Sequence, residues 1–255
     1  MGGGGFQMAR FFVSPEAVDK SAGQISITGE DVNHIKNVLR LARGDKLEIS
    51  DGSGEEFGAV IDKLEKDRIT ALISEVRPNR TEPPLEVTIY QGIPKADKMD
   101  YIIQKCVELG VGRIVPVITD RTIVRFAGGK EASAKTARWQ KISLEASKQC
   151  GRGRIPAVSI PIAFEKALED ARGCDLRIIP YELENTNSLA RRLADGKYRS
   201  AAVFIGPEGG FAEEEVRKAE ASGILPVTLG PRILRTETAG LAVLSILMYE
   251  LGDMR

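Results

Sequence analysis

The sequence predicts an α/β protein preceded by a smaller β-rich part, and three observations carry that prediction. Over residues 10–76, short β-like runs alternate with turns, and one amphipathic helix interrupts them. From residue 85 onward, apolar strand-like runs alternate with helical patterns, as in a mainly parallel sheet. Two Gly/Pro loops each follow an apolar run and precede a helical pattern, which is where such sheets bind ligands.

Taken in order, residues 1–7 hold four glycines and no periodicity, so a disordered leader is expected, with Met8 a natural start. Strands are predicted over 11–13, 24–28, 46–50, 57–64 and 69–76, with a turn at Asp51-Gly52-Ser53-Gly54. Their spacing predicts a small β-barrel over 8–78. The helix is expected over 31–42, with Val32, Ile35, Leu39 and Ala42 as its apolar stripe. Lys36, Arg40 and Arg43 fall on a neighbouring stripe, either a phosphate-reaching strip or an ordinary solvated face. A Pro-rich polar stretch marks a linker at 79–84, and the α/β domain is assigned to 85–255.

Within that domain, strands are predicted over 85–92, 113–117, 176–181, 201–205 and 226–229, and helices over 97–109, 131–149, 213–222 and 236–251. Met99, Ile102, Ile103, Cys106 and Val107 share one helix face and read as core. The last helix is almost wholly apolar over 239–248, so burial on most sides is expected, by the sheet and by a partner subunit.

Composition narrows the chemistry. The 255 residues suffice for one large domain or two ordinary ones, and 36 basic residues balance 36 acidic ones, so no global field steers the chain onto nucleic acid. No apolar run reaches membrane-span length and no signal-peptide pattern is present, so a cytoplasmic protein with no membrane association is expected. Three dispersed cysteines and a single histidine argue against a metal site and against Cys/His or Ser/His/Asp nucleophilic centres. The thiols are expected to be reduced and buried.

Neither loop matches a dinucleotide fingerprint or a Walker motif, which disfavours a dehydrogenase or an ATP enzyme. Ile205-Gly206-Pro207-Glu208-Gly209-Gly210-Phe211 can turn backbone groups into one pocket suited to an adenine or ribose edge, or can be a plain turn. The second loop, Leu229-Gly230-Pro231-Arg232-Ile233-Leu234-Arg235-Thr236-Glu237-Thr238-Ala239, places charges at the start of an apolar helix. Charges there need partners or a task.

These loops resemble those of the RsmE family, the uridine-N3 methyltransferases of small-subunit rRNA, within the SPOUT superfamily. Arg10-Phe11-Phe12-Val13, the segment 34–40, Lys95-Ala96-Asp97-Lys98-Met99-Asp100, the segment 105–110 and Arg138-Trp139-Gln140-Lys141-Ile142 resemble family segments in family order. The resemblance implies a SPOUT-type α/β domain with a deep C-terminal trefoil knot, a PUA-like barrel, a homodimer, and S-adenosylmethionine as cofactor without a metal. It assigns donor contacts to Ile179, Pro180, Ile205, Gly206, Pro207, Glu208, Gly209, Gly210, Leu229, Gly230, Ile233, Leu234, Thr236, Thr238 and Ala239. It implies 16S rRNA of the small ribosomal subunit as partner, docked by Arg10, His34, Lys36, Arg40, Arg43 and Arg232, although His34 also fits a packing role and Arg232 a partner-chain contact. Catalysis is expected from Arg235, stabilising charge on the uracil oxygens, and from Glu237, relaying the N3 proton or holding the helix terminus. A SPOUT-type 2′-O-methyltransferase and a non-catalytic RNA-binding assembly factor are the alternatives.

Overall fold

The computed structural model describes residues 10–124, 126, 128–194 and 196–255. The expected leader lies outside them. The chain divides into two units, one running to Glu82 and including Ser147–Ile155, the other comprising Pro83–Ala146 and Pro156–Arg255.

The first unit is a six-stranded mixed sheet of β1 (Arg10–Phe12), β2 (Val18–Asp19), β3 (Gln24–Thr28), β4 (Lys46–Ser50), β5 (Glu55–Leu64) and β6 (Arg68–Pro78), in the order β1-β4-β5-β6-β3-β2. Only β1 and β4 run parallel. Inward alternation buries Ile25, Ile27, Leu47, Ile49, Phe57, Ile61 and Ile69 in one core. Irregularities in β5/β6 pairing at Gly58/Ala59 and Ile61/Lys63 bend that ribbon. Ser147–Ile155, expected within the second domain, joins this unit through its backbone. The Gly151 carbonyl accepts from Arg10 and Thr81, the Gly153 carbonyl from Ser50, and Glu82 accepts from Arg152 and from the amides of Gly153 and Arg154.

The helix expected over 31–42 is shorter and irregular. α1 (Glu30–Asn33) continues as a π-helical turn at His34–Val38, and Arg40 takes a left-handed φ of 55°. The wider turn and the reversal at Arg40 abolish the i, i+4, i+7 stripe expected of Lys36, Arg40 and Arg43. Val32 and Ile35 are buried as the stripe predicts, whereas Leu39 and Ala42 are exposed.

The second unit holds a seven-stranded parallel sheet built from β7 (Glu86–Gly92), β8 (Arg113–Ile118), β9 (Ala157–Val158), β10 (Ile162–Ala163), β11 (Leu176–Pro180), β12 (Ser200–Ile205) and β13 (Leu225–Val227). The order is β10-β8-β7-β12-β11-β13, and β9 also pairs with β8. Its helices are α2 (Lys98–Glu108), α3 (Gly129–Cys150, of which the end from Ser147 belongs to the first unit), α4 (Phe164–Asp170), α5 (Leu189–Leu193), α6 (Glu213–Ala221) and α7 (Thr236–Glu250). The five α2 residues read as core are buried. Burial also pushes the Cys106 thiol up to about 12, and none of the three cysteines is in a disulfide.

Helix α7 is only half covered. Val243, Leu244, Leu247 and Met248 are buried, each worth about 1.5–3 kcal/mol, while Ile246 and Tyr249 stay exposed. Tyr101 on α2 is exposed too.

Candidate functional site

The central strands β7 and β12 end beside each other, and the chain leaves both at glycines. A Cβ at Gly92 would sit 2.6 Å from Pro207 Cδ and 2.7 Å from the Pro207 nitrogen, so only glycine lets the 205–211 loop fold over this strand end. The Gly210 amide donates to the Pro207 carbonyl at 2.9 Å, and Gly210 has φ of 66°. Arg121 Nη1 donates to the Gly209 carbonyl at 2.6 Å from outside.

A buried relay ties this loop to α7. Gln91 Nε2 donates to Thr236 Oγ1 at 2.9 Å, and the Thr236 hydroxyl donates to the Gly206 carbonyl at 2.6 Å. Thr236, the first residue of α7, is thus pinned between β7 and the glycine loop. Gly240, one turn later, is buried against Ile205 and Gln91, and a Cβ there would meet Ile205 Cγ1 at an ordinary 3.6 Å.

The result is one cleft made of two adjoining depressions, of about 460 and 430 Å³, within the range of small-molecule sites. Pro180, Glu182, Ile233, Leu234 and Ala239 line both. Tyr181, Glu184, Asn185 and residues 228–232 complete the first, and Lys98, residues 205–211 and residues 235–237 complete the second. The loops expected to meet do meet. Of the expected donor contacts, Ile179 has its side chain buried in the sheet core, and Thr238 lines a separate depression with Lys98, Tyr101, Glu237 and Leu241.

Charge in the cleft is arranged in two ways. Lys98 Nζ lies 3.2 Å from both Glu208 Oε1 and Glu237 Oε2, the latter placed for charge attraction rather than for an aligned hydrogen bond. The Lys95 amide also donates to Glu208. The amide of Glu237 itself, at the start of α7, and Lys98 hold its carboxyl below the usual range against partial burial. For Glu208, burial opposes ionisation, but its own amide, Lys98 and the Lys95 amide together bring it below the usual range. By contrast, Glu182, Arg232 and Arg235 are exposed and make no side-chain hydrogen bond or ion pair among the described residues. Glu184 is spent on its own loop: the Thr186 hydroxyl and the amides of Asn187 and Thr186 hold it down to about 2.

The expected docking residues lie in the first unit, except Arg232 on the cleft lip. His34 is exposed with its ring edge-on to Phe11, Lys36 donates to the Glu65 carbonyl, Arg40 is exposed, and Arg43 pairs with Asp62 while remaining largely accessible. Arg10 requires correction as an RNA contact. Its guanidinium is nearly enclosed, pairing with Glu48 and Glu56 and donating to the Gly151 and Arg152 carbonyls, so it fastens the unit internally. Sequence reasoning did not single out Gly92, Gln91 or Lys98; Lys98 carried a signal only by sitting inside the family-like segment 95–100, while Glu182 closes the segment Ile179-Pro180-Tyr181-Glu182, which the resemblance implies as a donor loop.

Comparison with known proteins matches residues 81–248 to an RNA methyltransferase domain and residues 27–74 to an RNA methyltransferase PUA domain. Ribosomal RNA small subunit methyltransferase E of Bacillus subtilis is 34% identical over 97% of this chain and 99% of its own length. Its namesake from Synechocystis is 33% identical over 92% of this chain and 75% of its own. The crystal structure of ribosomal RNA small subunit methyltransferase E from Neisseria gonorrhoeae, bound to S-adenosyl methionine, superposes with a TM-score of 0.85 at 36% identity, covering 97% of this chain and all of that one. Matched end to end by such relatives, the chain belongs to the ribosomal RNA small subunit methyltransferase E family.

Proposed function

We propose that this protein uses S-adenosylmethionine to methylate N3 of a specific uridine in 16S rRNA of the small ribosomal subunit. The observation that carries this reading is a single cleft whose walls present an unpaired carboxylate, Glu182, and an unpaired guanidinium, Arg235, around a backbone-lined glycine loop. The pocket fits the donor: Glu182 complements a cationic ligand, while residues 205–210 offer backbone groups to an adenine or ribose. S-adenosylmethionine supplies an electrophilic methyl group on a sulfonium.

Uridine N3 becomes a nucleophile only as its proton leaves. Arg235 precedes α7 with an extended backbone and is free to stabilise charge developing on the uracil oxygens. Glu237 is held as a carboxylate and paired with Lys98, which favours an anchoring role, with the N3 proton passing to water. Ile233, 87% exposed between Arg232 and Leu234, can cover the cleft against solvent once RNA arrives.

The same reading extends to assembly. We carry a knotted path over to the second unit from the family resemblance, and the passage of the chain from the edge strand β13 to α7, packed on β12 and β7, is compatible with it. Closure of the six-stranded sheet into a PUA-like barrel is supported by its shared core and irregular β5/β6 ribbon. Homodimerisation would cover the exposed apolar side of α7 and Tyr101. His34, Lys36, Arg40 and Arg43, with Arg232 at the cleft, are the proposed docking residues, and the target uridine leaves its stack to reach the cleft. Among the described residues no helix is long and apolar enough to cross a membrane, and a ribosomal substrate is consistent with work in the cytoplasm.

Small subunits lacking the modification, incubated with protein and labelled donor, should yield one 3-methyluridine by mass analysis of the digested RNA. A ribose methyl, or no methyl at all, overturns the reading.

A further inference from the structure

We infer that Lys98 is a positioning residue for methyl transfer, clamping the glycine loop to the first turn of α7 so that Arg235 is aimed across the cleft. The inference rests on the methyl-transfer reading above. Its Nζ lies 3.2 Å from oxygens of both Glu208 and Glu237, which belong to the two separate loops that build the cleft. Two carboxylates brought this close repel each other unless a cation sits between them. Lys98 is that cation, and Glu208 and Glu237 raise its pKa, so it stays charged at neutral pH.

The position of the clamp points to function rather than folding. Lys98 is one-third exposed, where ion pairs add little to stability. The buried relay from Gln91 through Thr236 to Gly206 already ties the same two segments at the cleft floor. What Lys98 adds is orientation at the rim. Glu237 follows Arg235 by two residues in the first turn of α7, so fixing its carboxylate limits rotation of that turn. Glu208 is also tied to the Lys95 amide, which makes the segment leading into α2 the common support.

The sign of the electrostatics separates this role from donor binding. Removing the ammonium leaves two uncompensated carboxylates beside a cationic donor, which does not weaken donor binding but lets the rim open. Lys98→Met and Lys98→Gln should therefore keep donor affinity, measured by calorimetry, while single-turnover methylation of unmodified small subunits falls by about 10²-fold, the effect of a misplacement near 1 Å. Lys98→Arg, which can still bridge two carboxylates, should recover most of the rate. In a Glu208→Gln/Glu237→Gln background, Lys98→Met should have little further effect, because the three act as one unit.

Wild-type rates in both Lys98→Met and Lys98→Gln overturn the clamp, as does a rate loss matched by equal losses in donor affinity and melting temperature. A further loss of full size in the double-Gln background overturns it too. Wild-type protein run in parallel separates the two levels: no transfer by wild type overturns the functional reading, and with it the clamp, whereas transfer by wild type and unimpaired Lys98 variants overturns the clamp alone.

Discussion

The two loops that form the cleft are built in opposite ways. Residues 205–211 are fixed from every side: Gly92 admits Pro207, Thr236 holds the Gly206 carbonyl, Arg121 holds the Gly209 carbonyl, and Glu208 reaches Lys95 and Lys98. Residues 229–235 are held near their start, where the Gly230 amide donates to Thr228, and then present Arg232, Ile233 and Arg235 to solvent. One wall is preorganised through its backbone, and the other offers unpaired side chains. The contrast matches two kinds of ligand. A small donor that binds every turnover benefits from a rigid pocket, because no ordering entropy is lost on binding. A large RNA can order mobile side chains through its own many contacts.

Substitutions on the two walls should therefore fail differently. Arg235→Ala should give the largest effect, a loss of about 10²–10³-fold in single-turnover rate, as for removal of an oxyanion donor, with donor affinity by calorimetry nearly unchanged. If donor affinity collapses in step, Arg235 belongs to the rigid wall and the comparison breaks. Gly92→Ala should show the reverse order of events. Its new Cβ meets the Pro207 backbone, which cannot swing away, so about 1–3 kcal/mol of stability and donor binding should be lost together, as read from urea unfolding and calorimetry.

The rigid wall was only partly legible in the sequence. Its own residues stood out as a Gly/Pro run after an apolar strand, although that run alone also suits a plain turn, and the second loop and the family resemblance decided its reading. Its supports did not: Gly92 ends a strand where any turn glycine would look the same, and its necessity arises from a proline more than a hundred positions away. Arg10 misled for a related reason. The family resemblance gave it an RNA-docking role, but β1 pairs in register with β4, opposite Glu48, with Glu56 close by on β5, and its guanidinium is turned to them. The π-helical turn at His34–Val38 was hidden because apolar spacing of three and four suits several helical windings over so short a stretch. The exposed wall was more legible, since arginines in an otherwise apolar stretch announce themselves locally.

Smaller effects sharpen the division. Thr236→Val leaves the Gln91 amide and the Gly206 carbonyl without the hydroxyl between them, on the largely buried floor of the cleft. About 1–3 kcal/mol of stability should be lost in urea unfolding, with donor affinity falling and Arg235 chemistry otherwise intact. The ion clamp sets a pH window with a defined sign. Glu208 and Glu237 are depressed below the ordinary 4.5, so their contribution is complete above that value and fades as pH falls through their lower folded values. Lys98 is raised above 10.5, so its contribution is complete below that value and fades as pH rises through the raised one. The ratio of single-turnover rates between wild type and Lys98→Met should be flat between those limits and shrink outside them.

Arg232→Ala should give the smallest effect and the most specific one. Arg232 lies on the exposed wall, three residues before Arg235, and has no side-chain hydrogen bond or ion pair among the described residues to lose. If it contacts a phosphate, its removal weakens subunit binding uniformly and lowers the slope of log affinity against log salt by about one, leaving the single-turnover rate at saturating subunit unchanged. A fall in that saturated rate would place Arg232 with Arg235 at the reacting base. A loss of dimer in sedimentation would place it at the subunit contact instead. Either result would redraw which part of the exposed wall faces RNA, while the rigid wall behind it would stand as before.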